Sequence, residues 1–347
     1  MHERTLLAML AEAGWSRRGW PEEVGGLGGP VLLRAVLYDE LAAFGLEIPE
    51  AYVILETLGP LLVAFAPSLA ARHLPASLAG REIWGQGFSE PDAGSDLAHL
   101  RTRAAARDDG GFRLSGQKSW TTLGQFSEFA AVLARTGTAE EAHRGLTMLW
   151  VDLRASGATV RPITASNGRD EFAEMFFDEV DVPADGLIGE VGGGWAAAMY
   201  LLQYERGMYA WQRQAVLNRR LREAIASAGT SSQPVAASTR IALGRALHAV
   251  TALRARSRRT VTRLSDGENP GPEISIDKAM LGQAEQLAFD ALRQLNRTRA
   301  TLGGDPHDQQ LREEWFYSRA STIFGGAIDV QRDVVAERVL GLRRSGR

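Results

Sequence analysis

The chain has 347 residues, 45% of them hydrophobic, enough to build two or three packed units with sizeable cores. A formal charge of −3 gives no electrostatic footing for nucleic acid or an anionic membrane, and zero cysteines exclude disulfides, thiolate metal sites and cysteine nucleophiles. The six histidines show no ligand spacing, so no protein metal site is expected.

No apolar run is long enough to span a bilayer, and Met1-His2-Glu3-Arg4-Thr5-Leu6 does not read as a signal peptide, so a soluble cytoplasmic protein is expected. Residues 1–84 alternate helical periodicity with Gly/Pro breaks. A short apolar helix runs from Leu6 to Leu10, Trp20-Pro21-Glu22-Glu23-Val24-Gly25-Gly26 is a turn, and Val31 to Phe44 is a helix. A further helical stretch, Ala51 to Ala66, is expected to break at Gly59-Pro60. From 85 to 183 the pattern changes to short runs between turns, such as Phe129 to Leu133, Leu146 to Val151 and Glu174 to Phe177, which predicts a β-sandwich or barrel. From 184 to 347 the 3.6-residue period returns over long segments, with breaks at Gly229-Thr230-Ser231-Ser232 and from Asp266 to Pro272, predicting a four-helix-bundle-like domain. The fold class is therefore α+β. The cluster Arg254, Arg256, Arg258, Arg259 and Arg263 falls on a helix and reads as a solvated or interface face.

Two runs do not read as packing. Phe88-Ser89-Glu90-Pro91-Asp92-Ala93-Gly94-Ser95-Asp96 crowds Pro, Gly, Asp and Ser behind the apolar pair Ile83-Trp84, forcing an irregular turn lined with hydroxyls and backbone N–H groups that can hold an anion. Gly116-Gln117-Lys118-Ser119-Trp120-Thr121-Thr122 then delivers an indole and two hydroxyls side by side. In order and spacing these runs resemble the flavin-holding loops of the acyl-CoA dehydrogenase family. Asp178-Glu179-Val180-Asp181-Val182-Pro183, with Gly192-Gly193-Gly194-Trp195, resembles that family's exit from its β-domain, and the stretch from Ile323 to Leu342 resembles its C-terminal signature.

The resemblance implies FAD, with Phe88, Ser89, Gly94 and Ser95 at the ring edge and pyrophosphate, and Trp120, Thr121 and Thr122 over the ring. It implies α,β-dehydrogenation of an acyl-CoA, with an electron-transferring flavoprotein as acceptor. Many relatives carry the base in a Y-E-G-T run, where this chain has Phe324-Gly325-Gly326-Ala327. Others carry it on the long helix after the β-domain, at the position matched here by Tyr204-Glu205-Arg206. Glu205 is thus the expected base, with Ser95, Tyr204 and Arg206 toward the substrate and the Gly325 backbone N–H toward the thioester oxygen. Asn167-Gly168-Arg169-Asp170-Glu171-Phe172 resembles relatives that act on bulky ring-bearing or branched thioesters. The family's R-x-x-F-G run, which reaches a neighbour's FAD, is absent between Arg213 and Ala228. Either a homo-oligomer or a pairing with a homologous chain is therefore open. Two alternative readings are a non-catalytic homologous subunit and a flavin oxidase or desaturase acting on a carrier-bound thioester.

Overall fold

A computed structural model describes residues 3–230, 232 and 234–343; Met1 and His2 of the predicted start, and Ser231 of the predicted break, lie outside them. Two compact units emerge, the first made of Met1–Pro30, Pro49–Ala165 and Asp170–Glu205, the second of Val31–Ile48, Ser166–Arg169 and Arg206–Arg347.

The first unit holds α1 (Glu3–Glu12), α3 (Ala51–Phe65) and α4 (Pro67–Leu78), while α2 (Leu32–Ala43) belongs to the second. α3 does not break at Gly59-Pro60 as expected; it runs through both residues. Proline forfeits one backbone bond there. The loss is outweighed by burial, because Leu55, Leu58, Leu61 and Leu62 are almost wholly buried, each worth roughly 1.5–3 kcal/mol. Gly59 has its own reason: a Cβ there would come within 2.5 Å of the buried Trp20 ring.

Among the described residues eight strands follow: β1 (Trp84–Gly87), β2 (Arg103–Ala106), β3 (Phe112–Thr122), β4 (Phe129–Arg135), β5 (Leu146–Asp152), β6 (Ala158–Ile163), β7 (Phe172–Val182) and β8 (Leu187–Ile188). They form one sheet in the order β6-β7-β3-β2-β4-β5-β8, with β1 added in parallel to β4. Only the Arg103–Arg135 pairing joins β2 to β4, so the sheet folds back there. Side chains from both halves, including Phe112, Leu114 and Met175 from one and Val132, Leu149 and Val151 from the other, then share a single core. This is the predicted sandwich-like β-domain.

α5 (Gly194–Thr230) contributes its turns up to Glu205 to the first unit and the remainder to the second. The second unit continues with α6 (Ala237–Ser265), α7 (Ile274–Leu295), α8 (Arg297–Leu302), α9 (Pro306–Ala320) and α10 (Ile328–Val334). Leu217, Leu221, Leu243, Leu253, Leu281, Phe289 and Leu311 make its bundle core. The arginine-rich face is tied inward by carboxylates: Arg254 pairs with Asp39, Arg256 with Asp277, and Arg263 with Glu268 and Glu273. Only Arg258 and Arg259 of that cluster are exposed.

Candidate functional site

The loop after β1 is anchored at its root and open at its tip. Glu90 is buried. Its carboxylate accepts the N–H groups of Arg101 (2.6 Å) and Thr102 (2.8 Å) and pairs with Lys118 Nζ at 2.8 Å, while the same ammonium also donates to the Phe88 carbonyl at 3.1 Å. The Ser119 N–H adds a bond to the Ser89 carbonyl at 2.9 Å. Burial draws the Lys118 ammonium down to about 8 despite the opposing pull of Glu90. Burial pushes Glu90 the other way, but the Lys118 charge and the donated hydrogen bonds outweigh it and hold the carboxyl below its usual range. From this fixed root Phe88 stays buried and Ser89 half-buried, while Gly94 and Ser95 are exposed. A Cβ on Gly94 would meet nothing within 4 Å, so the tip is open space and not a packed turn.

β3 ends in an irregularity that presents Trp120. The β3–β7 register shifts between Lys118 and Thr121, and Trp120 adopts φ 60°, a left-handed conformation costly for a bulky residue. Its indole is 60% exposed and touches Phe172 edge-on at 5.9 Å. Thr121 turns inward, its hydroxyl donating to the Gln86 carbonyl at 3.4 Å, whereas Thr122 is half-buried. Ser119 Oγ is buried without a hydrogen-bond partner. A strained, outward-facing indole beside an orphaned hydroxyl and an open Gly/Ser loop suits a large aromatic group with a phosphate tail. These residues fit FAD.

Glu205, at the first unit's end of α5, is half-buried and accepts a hydrogen bond from Gln86 Nε2 on β1 at 3.4 Å. Tyr204, immediately before it, has its hydroxyl 3.4 Å from that of Tyr200 one turn earlier, and Tyr200 packs edge-on against Phe65. Thus the first unit brings together, around β1 and β3, the expected Phe88, Ser89, Trp120 and Thr121, with Glu205 joined to β1 by Gln86. Sequence reading assigns no role to Gln86, and takes Lys118 only as part of the Gly116–Thr122 run. An ordinary glutamine between two glycines carries no local signal of its partner.

In the second unit, Gly325 lies in the turn that follows α9, with φ 61° at Gly325 and 101° at Gly326, a pair of left-handed residues that glycine supplies at least cost. The turn's own bonds run from Ile323 and Phe324 to Ala320 and from Ile328 to Thr322, leaving the Gly325 N–H outside them. Lys278, the second lysine, is buried, donates to the Ser321 carbonyl and sits 4.6 Å over the Phe324 ring. Phe324 is flanked by Tyr209 and Tyr317, whose hydroxyls meet at 3.1 Å. Arg206 Nη2 would lie 3.4 Å from a Cβ on Gly326. Arg213, over the Tyr317 ring at 5.6 Å, pairs with Glu285 and Glu314. Trp211 is committed to the core, its indole N–H donating to the Ala35 carbonyl at 2.8 Å.

Among the described residues no group of His, Asp and Glu could hold a metal ion, and no helix is long and apolar enough to cross a membrane. Residues 85–180 match the acyl-CoA dehydrogenase middle domain and residues 192–340 the acyl-CoA dehydrogenase C-terminal domain. The sequence is 35% identical over 339 residues to the acyl-CoA dehydrogenase IpdE1 of Mycobacterium tuberculosis, covering 97% of this chain and 87% of that one. The structure is similar to a variant of the Tcur3481-Tcur3483 steroid ACAD, with a TM-score of 0.88 and 27% identity over 99% of this chain and 91% of the other. It is also similar to the ChsE4-ChsE5 complex from Mycobacterium tuberculosis, with a TM-score of 0.85 and 27% identity over 99% and 90% of the two chains.

Proposed function

The chain belongs to the acyl-CoA dehydrogenase family, an oxidoreductase family acting on acyl-CoA thioesters, and on that premise we propose that Glu205 is the base of an FAD-dependent α,β-dehydrogenation. What supports the assignment is that position 325 is a glycine, with no side chain to act as base, while Glu205 is a half-buried carboxylate. A carboxylate base needs its target acidified, because an α-proton of a thioester is far too weakly acidic unless the neighbouring oxygen is polarised. We assign that donor role to the Gly325 N–H, which the turn leaves outside its own hydrogen bonds. The α-proton passes to the Glu205 carboxylate, the Cα–H electron pair forms the α,β double bond, and hydride leaves Cβ. When bound, FAD supplies the two-electron acceptor for that hydride.

Phe88, Ser89, Gly94, Ser95, Trp120, Thr121 and Thr122 would hold the cofactor, with Ser95, Tyr204 and Arg206 toward the thioester. Thr121 would act from beneath through the strand it clamps, since its hydroxyl is turned to Gln86. The reading keeps 1–84, 85–183 and 184–347 as helical, β and helical domains, a division supported by the order of elements. A bulky, ring-bearing acyl group is supported by the likeness to a steroid ACAD and by 28% identity over 350 residues to the cyclohexane-1-carbonyl-CoA dehydrogenase of Geobacter metallireducens. Electrons would leave to an electron-transferring flavoprotein, and a homologous chain would complete the oligomer, a reading supported by the likeness to the Tcur3481-Tcur3483 steroid ACAD and the ChsE4-ChsE5 complex.

The test is an anaerobic titration of FAD-loaded protein with butyryl-, octanoyl-, isobutyryl-, cyclohexane-1-carbonyl- and steroid side-chain CoA. Flavin bleaching by at least one member is expected. Glu205→Gln should retain flavin and lose more than about 10²-fold in bleaching rate, the lower range for a positioned base. Near-normal bleaching in that variant would sink the assignment.

A further inference from the structure

β1 reads Trp84-Gly85-Gln86-Gly87, and its two glycines decide what Gln86 does. In a strand, alternate residues face opposite sides. On the side of Gly85 and Gly87 the neighbours are in close contact: a Cβ on Gly85 would lie 3.0 Å from Thr121 Cγ2, and one on Gly87 would lie 2.9 Å from Met175 Cε. The sheet core therefore closes tightly over the glycines. Trp84 and Gln86 project from the opposite side, where Trp84 packs edge-on against Trp150 at 5.2 Å and the side-chain amide of Gln86 reaches Glu205. The strand is braced on either flank, paired in register with β4 through Gln86 and Ala131, and bonded by the Thr121 hydroxyl at the Gln86 carbonyl.

We propose that Gln86 is a positioning residue for the base: its Nε2–H holds one carboxylate oxygen of Glu205, leaving the other free to receive the α-proton. This rests on the reading of Glu205 as base. The amide suits the task because it donates without adding a formal charge, so it orients the carboxylate without locking it into an ion pair as a cation there would. At 3.4 Å the bond is long, as resting hydrogen bonds of catalytic groups often are before substrate displaces water. Its anchor is a strand with little freedom, so the carboxylate gains a fixed reference that a helix side chain with three rotatable bonds lacks.

The experiment is Gln86→Met, which keeps length and volume but removes the donor, read with the thioester of the panel that bleaches wild-type flavin fastest. Expected are a fall of about tenfold or more in the maximal reduction rate, the scale of losing one hydrogen bond to a charged group, and KM within about twofold of wild type. A larger isotope effect with the α-deuterated thioester should follow, because proton removal becomes more rate-limiting. The dissociation constant of the enoyl-CoA product, measured by titration, should be unchanged. In a Glu205→Gln background, Gln86→Met should cost nothing further, since the two act as one unit. Gln86→Glu, made in parallel, places an acceptor where the donor stood and should be worse than Gln86→Met; it also covers the case in which the methionine variant fails to fold. An unchanged reduction rate, a loss confined to KM, or equal additive losses in both backgrounds would overturn the role of Gln86 while leaving Glu205 as base. Retained bleaching in Glu205→Gln alone would overturn the base assignment itself, and with it the role of Gln86.

Discussion

Lys118 is wholly buried, and its ammonium bonds both Glu90 and the backbone of Phe88, so this one residue holds the root of the loop whose tip stays open. Removing one partner of a buried ion pair leaves the other uncompensated, and typically costs about 3–5 kcal/mol. Glu90→Gln should therefore destabilise the protein by roughly that amount at neutral pH, seen as a lower midpoint in chemical denaturation. The penalty has a pH signature. Because the folded-state carboxyl of Glu90 sits below its usual 4.5, the stability it contributes is complete above that value and is lost as pH falls through the lower folded-state value. The gap between wild type and Glu90→Gln should accordingly narrow on acidification below about 4.5. A gap that stays constant from pH 7 to pH 3 would show that the pair is not what anchors the loop. Replacing both partners by apolar residues should not rescue stability, since the Arg101 and Thr102 N–H groups would then be left without the acceptor they now share.

α3 shows how packing overrides a local breaker at the scale of an element. Sequence rules end a helix near Gly-Pro, yet the surrounding leucines keep it continuous, and the glycine is there for room and not for flexibility. In an exposed helix, Gly→Ala gains up to about 1 kcal/mol. At Gly59 the new methyl would press on Trp20 at 2.5 Å, and overpacking a core typically costs about 1–3 kcal/mol. With the Trp20 ring this close the clash outweighs the propensity gain, so Gly59→Ala should be less stable than wild type by a net of up to about 2 kcal/mol. Thermal melting checks the sign, and a raised midpoint would mean that Trp20 moves aside freely. The end of β3 follows the same logic in reverse: its register shift leaves Trp120 unpaired at φ 60°, a local cost borne where the indole is exposed.

For the whole molecule the open matter is who completes the cofactor site. No R-x-x-F-G run stands between Arg213 and Ala228, and the structure binds the obvious substitutes internally: Arg213 to Glu285 and Glu314, Arg254 to Asp39, Arg256 to Asp277. An arginine–phosphate contact is worth roughly 1.5–3 kcal/mol, one to two decades in affinity. Expressed alone, the chain should bind FAD weakly and below one per chain, and co-expression with a homologous acyl-CoA dehydrogenase chain should restore tight, stoichiometric flavin. Native mass and flavin absorbance measure both. A stable homo-oligomer with one tightly held FAD per chain would show that this chain completes the site for its own copies.

The α+β order, the long bundle helices, the hydroxyl-rich loop at 88–96 and the indole at Trp120 are legible from residue identity and spacing, because turn chemistry and helical period act over a few neighbouring positions, whereas Gly325 stands out only through the family resemblance. The same locality misleads at Gly59-Pro60, where distant side chains decide. Contacts across the chain remain invisible until it folds: Gln86 meets Glu205 across 119 positions, Lys118 meets Glu90 across 28, and Trp211 meets the Ala35 carbonyl across 176. None of these side chains carries a local signal of its partner. Which group each one meets is set by how strands and helices pack, and that packing belongs to the tertiary structure alone.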